Sequence, residues 1–287
     1  MMVNLNYVLK KAMNEKYAVA HFNIMNLEWA KAILETANET NTPVICALTD
    51  VVSSYFGGYK VAKVIVETLI ETLNIKVPVV LHLDHGSFEG CLKCIECGFT
   101  SIMFDGSKLS IDENVKKTLE LVRLAHEKNI SVEAEVGSIG GTEDGITGLG
   151  EIANISHCIK LANTNIDALA CGIGNIHGKY PADWKGLSFD TLSDIKKSLP
   201  DIPLVLHGGS GIPKEQIKNA ISHGITKINV NTELHIAFAT EIRKYIESNL
   251  DKIDKGYDLR NISKAGMLAI KNIVKEKMML FGSLGKA

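Results

Sequence analysis

Three apolar stretches of the chain end alike, in a histidine followed by a glycine. Residues 78–86 read Pro-Val-Val-Leu-His-Leu-Asp-His-Gly, residues 168–178 end in Asn-Ile-His-Gly, and residues 203–211 read Pro-Leu-Val-Leu-His-Gly-Gly-Ser-Gly. Holding an acid and an imidazole at the end of a buried strand is costly unless they do chemistry or bind metal. Three imidazoles around an open fourth position are a catalytic zinc arrangement, so His85, His177 and His207 are the expected ligands. One such histidine alone reads most simply as a satisfied buried residue. Three at equivalent strand ends favour a shared metal. The other histidines keep the plainer reading: His126, His157, His223 and His235 fall on expected helices, His21 lies inside a strand, and His82 points into the fold three residues before His85.

The turn His207-Gly-Gly-Ser-Gly211 leads into a helix opened by Pro213. A glycine-rich turn before a helix presents backbone N–H groups to an anion. Alone this is a weak signal. It gains weight beside Asn229-Val-Asn-Thr232, because barrel enzymes frequently bind phosphate in the loops after strands 7 and 8. A phosphorylated substrate is expected. Residues 137–150 hold six glycines in fourteen positions, with Glu143 and Asp144 at the centre. A loop of that composition can close over substrate and deliver a carboxylate base; the plainer reading is a solvated surface loop.

The elements that must position these groups repeat one pattern, an apolar β-type run, a polar or glycine-rich end, then an amphipathic helix. Strands are expected over 17–22, 42–48, 77–84, 100–104, 130–136, 166–171, 203–206 and 225–230, and helices over 27–40, 59–73, 88–97, 111–128, 155–163, 189–198, 214–223 and 232–249. Eight βα units in about 250 residues predict an α/β fold, a closed (β/α)8 TIM barrel forming a single domain over 1–287, with its chemistry at the C-terminal strand ends. Those ends collect Asp84 and His85, then Asp105, Glu133 and Glu135, His177, His207, and Asn229 with Asn231. An additional C-terminal helix is expected over 262–280, and the tail from Phe281 is expected to fray.

The chain has 287 residues, 46% of them hydrophobic, and a formal net charge of −2. A sizeable core is affordable, and no basic footprint for nucleic acid or an anionic membrane appears. The start lacks the regions of a signal peptide, and no apolar run approaches the ~20 residues of a membrane helix. A soluble cytoplasmic protein is expected. Cys91, Cys94 and Cys97 have a C-x-x-C-x-x-C spacing that invites an iron–sulfur or zinc reading. On a helix the same spacing lines thiols along one face, and no fourth cysteine follows at cluster spacing. Free, largely buried thiols are the simpler reading.

Together these motifs resemble the class II, metal-dependent fructose-bisphosphate aldolases, in the shorter branch that also holds tagatose-bisphosphate aldolases. The resemblance covers nearly the whole chain. It rests on His-Leu-Asp-His-Gly over 82–86, Val-Glu-Ala-Glu-Val-Gly over 132–137, Gly-Gly-Thr-Glu-Asp over 140–144, Leu-His-Gly-Gly-Ser-Gly-Ile-Pro over 206–213 and Lys-Ile-Asn-Val-Asn-Thr over 227–232. It implies cleavage of a sugar bisphosphate to dihydroxyacetone phosphate and an aldehyde, with zinc on His85, His177 and His207 as Lewis acid. It gives Glu143 the C1 proton of dihydroxyacetone phosphate, Asp84 the proton of the C4 hydroxyl, and Asn229 the steadying of the enediolate. It implies a second, looser divalent metal at Asp105 and Glu135, and a sodium or potassium ion near Gly178, Gly208 and Ser210. Asn23, Gly178, Gly208, Gly209, Ser210, Asn229, Val230, Asn231 and Thr232 would bind the substrate, with Arg260 on the distal phosphate. That arginine reaches across a dimer interface in the family, so a homodimer or homotetramer is implied. No Schiff-base lysine is needed.

Three positions depart from the family pattern. Asp258-Leu259-Arg260 stands where Asp-Pro-Arg is usual, Gly86-Ser87-Phe88-Glu89 is one residue shorter than in many relatives, and Thr142 replaces a common Glu or Gln. Fructose and tagatose 1,6-bisphosphate differ only at C4, and the general similarity leans toward fructose. A metal-barrel hydrolase is a weaker reading, because such enzymes commonly use His-x-His on strand 1, which here reads Ala20-His21-Phe22-Asn23. A non-catalytic binding protein would carry a degraded site, whereas every expected acid, base and ligand is present.

Overall fold

Leu5, Val8, Leu9 and Ala12 recur at helical spacing. In the computed structural model of this protein they form the buried side of α1 (Leu5–Glu15), whose first turn is capped by the Asn4 side chain accepting from the Tyr7 N–H. The structure describes residues 1–143, 146–148 and 150–287, with backbone alone for 143 and 146–148. This helix precedes the eight βα units expected from the sequence.

After α1 the chain alternates as expected. β1 (Val19–Asn23) precedes α2 (Leu27–Glu39), and β2 (Val44–Leu48) precedes α3 (Asp50–Phe56) and α4 (Tyr59–Thr72). β3 (Val79–Gly86) leads to α5 (Phe88–Cys97), and β4 (Ser101–Phe104) to α6 (Ile111–His126). β5 (Ser131–Val136) is followed by β6 (Gly140–Glu143), β7 (Ile146–Gly148) and α7 (Ile155–Ala162). Next come β8 (Ala168–Cys171), the short β9 (Ile176–His177), and α8 (Phe189–Ser198). β10 (Leu204–Leu206) with α9 (Lys214–Ser222), β11 (Ile225–Val230) with α10 (Thr232–Glu247), and finally α11 (Leu259–Leu280) complete the order. Eight parallel strands close a barrel in the ring order β1-β11-β10-β8-β5-β4-β3-β2.

Strand side chains alternate between two faces. Ala20, Phe22, Leu81, Leu83, Val132, Ala134, Ile228 and Val230 face outward into the layer beneath the helices. Val19, Ile45, Val80, Met103, Ala168, Ala170 and Val205 face inward and pack on the apolar side of α1. That helix therefore plugs the N-terminal end of the barrel. Further along the strands the inward positions turn polar: His21 and Asn23, His82 and Asp84, Glu133 and Glu135, Lys227 and Asn229, all buried.

Two expectations need correction. The glycine-rich stretch is not a plain loop, because β6 pairs antiparallel with β7 and parallel with β9. The tail does not fray. The Ala18 N–H donates to the Phe281 carbonyl at 3.0 Å, and the Gly285 and Ala287 N–H groups donate to the carbonyls of Thr40 and Asn41, each at 3.1 Å. The Phe281 ring is 1% exposed and packs with the outer core. Phe281→Ala should therefore lower the unfolding free energy by about 3–5 kcal/mol, the usual cost of truncating a buried phenylalanine. Urea titration measures it, and a change within about 0.5 kcal/mol, as at an ordinary surface position, would mean that the tail does not pack.

Candidate active site

Asp84 and His85 are neighbours, so a regular strand would send them to opposite faces. The register between β3 and β4 shifts between Leu83 and Gly86, and His85 adopts φ 46°, in the left-handed region. A bulge of this kind re-aims side chains at a barrel rim. Asp84 stays in the lumen above His82, while the His85 ring reaches those of His177 and His207, at centroid distances of 4.9 and 4.7 Å. The next helix starts directly after Gly86. Ser87 caps α5 by accepting from the Gly90 N–H at 3.0 Å, and its own N–H donates to Asp50 Oδ2 at 2.9 Å.

His177 sits on β9, where Gly141 of β6 is its register partner. Gly141 has φ +83°, and a Cβ there would lie 2.0 Å from the His177 carbonyl oxygen, so only glycine lets the hairpin pair with this strand. Tyr180 Oη accepts from the Ile176 N–H at 3.0 Å and donates to the Gly208 carbonyl at 2.9 Å. The Asn175 side chain donates to the His207 carbonyl at 3.0 Å. Tyr180 and Asn175, absent from the sequence reading, thus tie the His177 segment to the turn after β10.

The three histidines offer ring nitrogens within 4.8 Å of one another. His85 Nε2 lies 2.9 Å from His207 Nδ1. The remaining nitrogens of these two rings face carboxylates, His85 Nδ1 at 3.1 Å from Asp105 Oδ2 and His207 Nε2 at 2.9 Å from Glu133 Oε1. Metal-ligating histidines are generally oriented in this way. Burial opposes charge on His85, but Asp84, the hydrogen bond to Asp105 and the Glu135 charge prevail and raise its pKa to about 10. A field that holds a proton on this ring also favours a metal cation in the proton's place. Burial, aided by the His85 charge, lowers His207 to about 4 and holds His177 well below its ordinary value. Neutral imidazoles are the form a metal requires, so the donor set fits a divalent cation.

Two more donor groups occur among the described residues. His85, Asp105 and Glu135 come together beside the first, and burial followed by the Asp105 charge raises Glu135 to about 8. His21, His82 and Asp84 form the other. There burial, then the charge of Lys227, lowers the pKa of both imidazoles, so a cation would meet a buried ammonium.

Asp84 is held on both oxygens. Asn23 Nδ2 donates to Oδ2 at 3.0 Å and Asn229 Nδ2 to Oδ1 at 3.3 Å, with His21 Nε2 3.5 Å from Oδ2. Burial would raise its pKa, yet His21 and His85 outweigh burial and hold the carboxyl well below the usual range. Asn23, Asp84, His177 and Asn229 share a crevice of about 20 Å³ with Gly178, Gly208, Ser210, Asn231 and Thr232. Gly208, at φ +64°, brings its Cα so close to Ile176 that a Cβ would lie 2.1 Å from that residue's carbonyl oxygen. The Gly209 N–H donates to the Asn229 carbonyl at 2.8 Å. Val230 packs outward in the core, which leaves only its backbone to meet a ligand.

The outer layer supports this turn. Ser210 Oγ accepts from the Glu233 N–H at 3.2 Å, the Gly211 N–H donates to Glu233 Oε1 at 2.6 Å, and Lys277 of α11 pairs with Glu233 Oε2 at 2.6 Å. Arg260 is not brought to the crevice within this chain. Its side chain is 89% exposed and pairs with Asp258, which also caps α11. The backbone of Glu143 ends β6, two residues beyond the partner of His177. Its side chain, and Asp144, lie outside the described residues.

Fold and donor set together define a (β/α)8 barrel with a metal-competent site at the C-terminal ends of its strands. Residues 3–286 match the family model described as "Fructose-bisphosphate aldolase class-II". The chain is 52% identical over 289 residues to the fructose-bisphosphate aldolase of Mycoplasma genitalium, covering 100% of both chains. It is 50% identical over 290 residues to that of Streptococcus pneumoniae, covering 99% of each. Among solved structures, the YdjI aldolase of Escherichia coli K12 superposes with a TM-score of 0.84 at 30% identity, over 100% of both chains. This chain belongs to the class II fructose-bisphosphate aldolase family.

If the three histidines form one centre, His207→Ala should lose stoichiometric divalent metal while the far-ultraviolet circular dichroism stays that of the parent. Elemental analysis after gel filtration gives the answer, and full metal content would remove His207 from the ligand set.

Proposed function

We propose that this protein cleaves fructose 1,6-bisphosphate reversibly to dihydroxyacetone phosphate and glyceraldehyde 3-phosphate, as a cytoplasmic enzyme of central carbohydrate breakdown. The observation that carries this reading is that the three-histidine donor set adjoins, through His177, a crevice lined by an ionised Asp84 and by Gly208 and Ser210 of the glycine-rich turn. The names of the full-length relatives support the substrate.

Zinc on His85, His177 and His207 would supply Lewis-acid stabilisation of the charge that develops when the carbon–carbon bond breaks. In cleavage Asp84 takes the C4 hydroxyl proton, and its two asparagine partners keep both oxygens aimed into the crevice. Asn229 Oδ1 is buried with no hydrogen-bond partner, so it can accept from a substrate hydroxyl while Nδ2 holds Asp84. Glu143 exchanges the C1 proton from a hairpin whose register is set by the His177 strand. Gly178, Gly208 and Ser210, with Asn231 and Thr232 at the start of α10, bind the ketose phosphate through N–H groups and the dipole of the helix, while Gly209, whose N–H holds the Asn229 carbonyl, shapes the turn. Asp105 and Glu135 would hold a second divalent ion, and a sodium or potassium ion would sit near Gly178, Gly208 and Ser210.

The exposure of Arg260 supports a role on the distal phosphate of a neighbouring chain, in a dimer or tetramer. Asp258 caps the helix start without the family's proline, so the missing ring does not prevent α11 from presenting Arg260 outward.

Cleavage of fructose and tagatose 1,6-bisphosphate should be compared directly, with EDTA and then with zinc restored. We expect EDTA to abolish cleavage, zinc to restore it, and kcat/KM to favour fructose bisphosphate. Preference for the C4 epimer would reassign the substrate, and no zinc-dependent cleavage of either would refute the aldolase reading. Arg260→Ala should raise KM for the bisphosphate at least about tenfold, the loss of one charged phosphate contact worth about 1.5 kcal/mol or more, and leave C1 proton exchange of dihydroxyacetone phosphate near the parent rate. Equal effects on both would exclude a distal-phosphate role.

A further inference from the structure

Beneath the histidine cluster lies an ion pair that the proposed mechanism does not use. Lys227 of β11 and Glu133 of β5 are both 0% exposed. Two strands, β10 and β8, separate theirs in the ring, so the side chains meet across the barrel lumen. Lys227 Nζ lies 2.9 Å from Glu133 Oε2 and 3.2 Å from Oε1, and Oε1 also meets His207 Nε2 at 2.9 Å. Taking two such charges out of water generally offsets what their attraction returns, so stability does not account for the pair. Its geometry does. A carboxylate can only accept, so His207 must present Nε2 as an N–H, and its Nδ1 is left with a lone pair. That lone pair is the atom 2.9 Å from His85 Nε2, in the three-histidine cluster.

We propose that Lys227 is a positioning residue for metal binding. Through Glu133 it holds the His207 ring in the tautomer and orientation that turn Nδ1 toward the metal. The proposal rests on the metal reading of the three histidines. The sign of its effect separates it from simpler roles. Lys227 is a cation near the site, and as a mere charge it would repel a bound metal, so its removal would tighten binding. As a packing residue it would leave the affinity of the folded protein unchanged. As a positioning residue its loss weakens binding.

The test is zinc affinity by competition with a chromophoric chelator, for the parent, Lys227→Met, Glu133→Gln and the double variant. We expect Lys227→Met and Glu133→Gln each to weaken zinc binding by about 10–100-fold, the usual scale for losing a ligand's orienting partner. In the Glu133→Gln background, Lys227→Met should bring no further loss, because both act along one path. Unchanged or tighter binding by folded Lys227→Met would overturn the proposal, as would an equal loss in both backgrounds. Should Lys227→Met fail to fold, the metal-free parent still decides. Nitrogen-15 shifts of the His207 ring must report Nε2 protonated and Nδ1 bare, and the opposite tautomer overturns the proposal. A parent that binds no zinc would instead refute the metal reading itself, which keeps the two failures apart.

Discussion

A closed ring of parallel strands gives its inward side chains no water to turn to, so every polar group placed there must find its partner among the others. Glu133 is the group on which that exchange turns here. It meets Lys227 on both oxygens and His207 on one, and lies 3.7 Å from His82. Burial alone would raise its pKa, but Lys227 and the His207 hydrogen bond outweigh burial and keep it a carboxylate. Around it the polar lumen divides by charge. Lys227 stands on one side, and Asp84, Asp105 and Glu135 surround His85 on the other, where the field favours a cation. The apolar plug made with α1 at the N-terminal end confines this polar layer to the face where chemistry occurs.

The strand period imposes a second constraint. Pairs two residues apart, such as His82 and Asp84, share the lumen without effort, but Asp84 and His85 cannot do so on a regular strand. The slip of β3 against β4 and the left-handed backbone of His85 resolve the conflict. Strained conformations of this kind cost of order 1–3 kcal/mol and persist where the surroundings over-determine them. Here Asp105, Glu135 and His207 all converge on the displaced ring. The histidine cluster therefore depends on a departure from regular strand geometry at the end of β3.

The barrel was legible because its signals are local. Short apolar β-type runs and amphipathic helices are each read over short stretches of chain, and the chemistry-bearing histidines stand at the ends of those runs. The α1 signal is equally local, in Leu5, Val8, Leu9 and Ala12, but it stands outside the βα repeat. What stayed hidden depends on partners far along the chain. β6 is rich in glycine, and the strand it pairs with, β9, lies far along the chain, with Gly140 opposite Ile176. The tail looked polar and terminal because its anchors are at Ala18, Thr40 and Asn41. Glu133 was noticed as a strand-end carboxylate and Lys227 only as part of a motif. Neither spacing nor composition could reveal that they meet across the lumen.

The histidine cluster and the glycine-rich turn are supported from opposite sides of the sheet. The cluster is fixed from within, by charges in the lumen. The turn is fixed from without. Lys277 is 7% exposed on α11, a helix extra to the eight repeating units, and its ammonium holds Glu233 at the start of α10. Glu233 in turn takes the Gly211 N–H, while its own N–H donates to Ser210. A carboxylate at the first turn of a helix is favoured by the dipole, yet it also competes with a phosphate for the same positive end. Lys277 offsets the Glu233 charge at that end. The last helix is thus more than a cover for the barrel. It supplies the charge that balances the carboxylate holding the glycine turn.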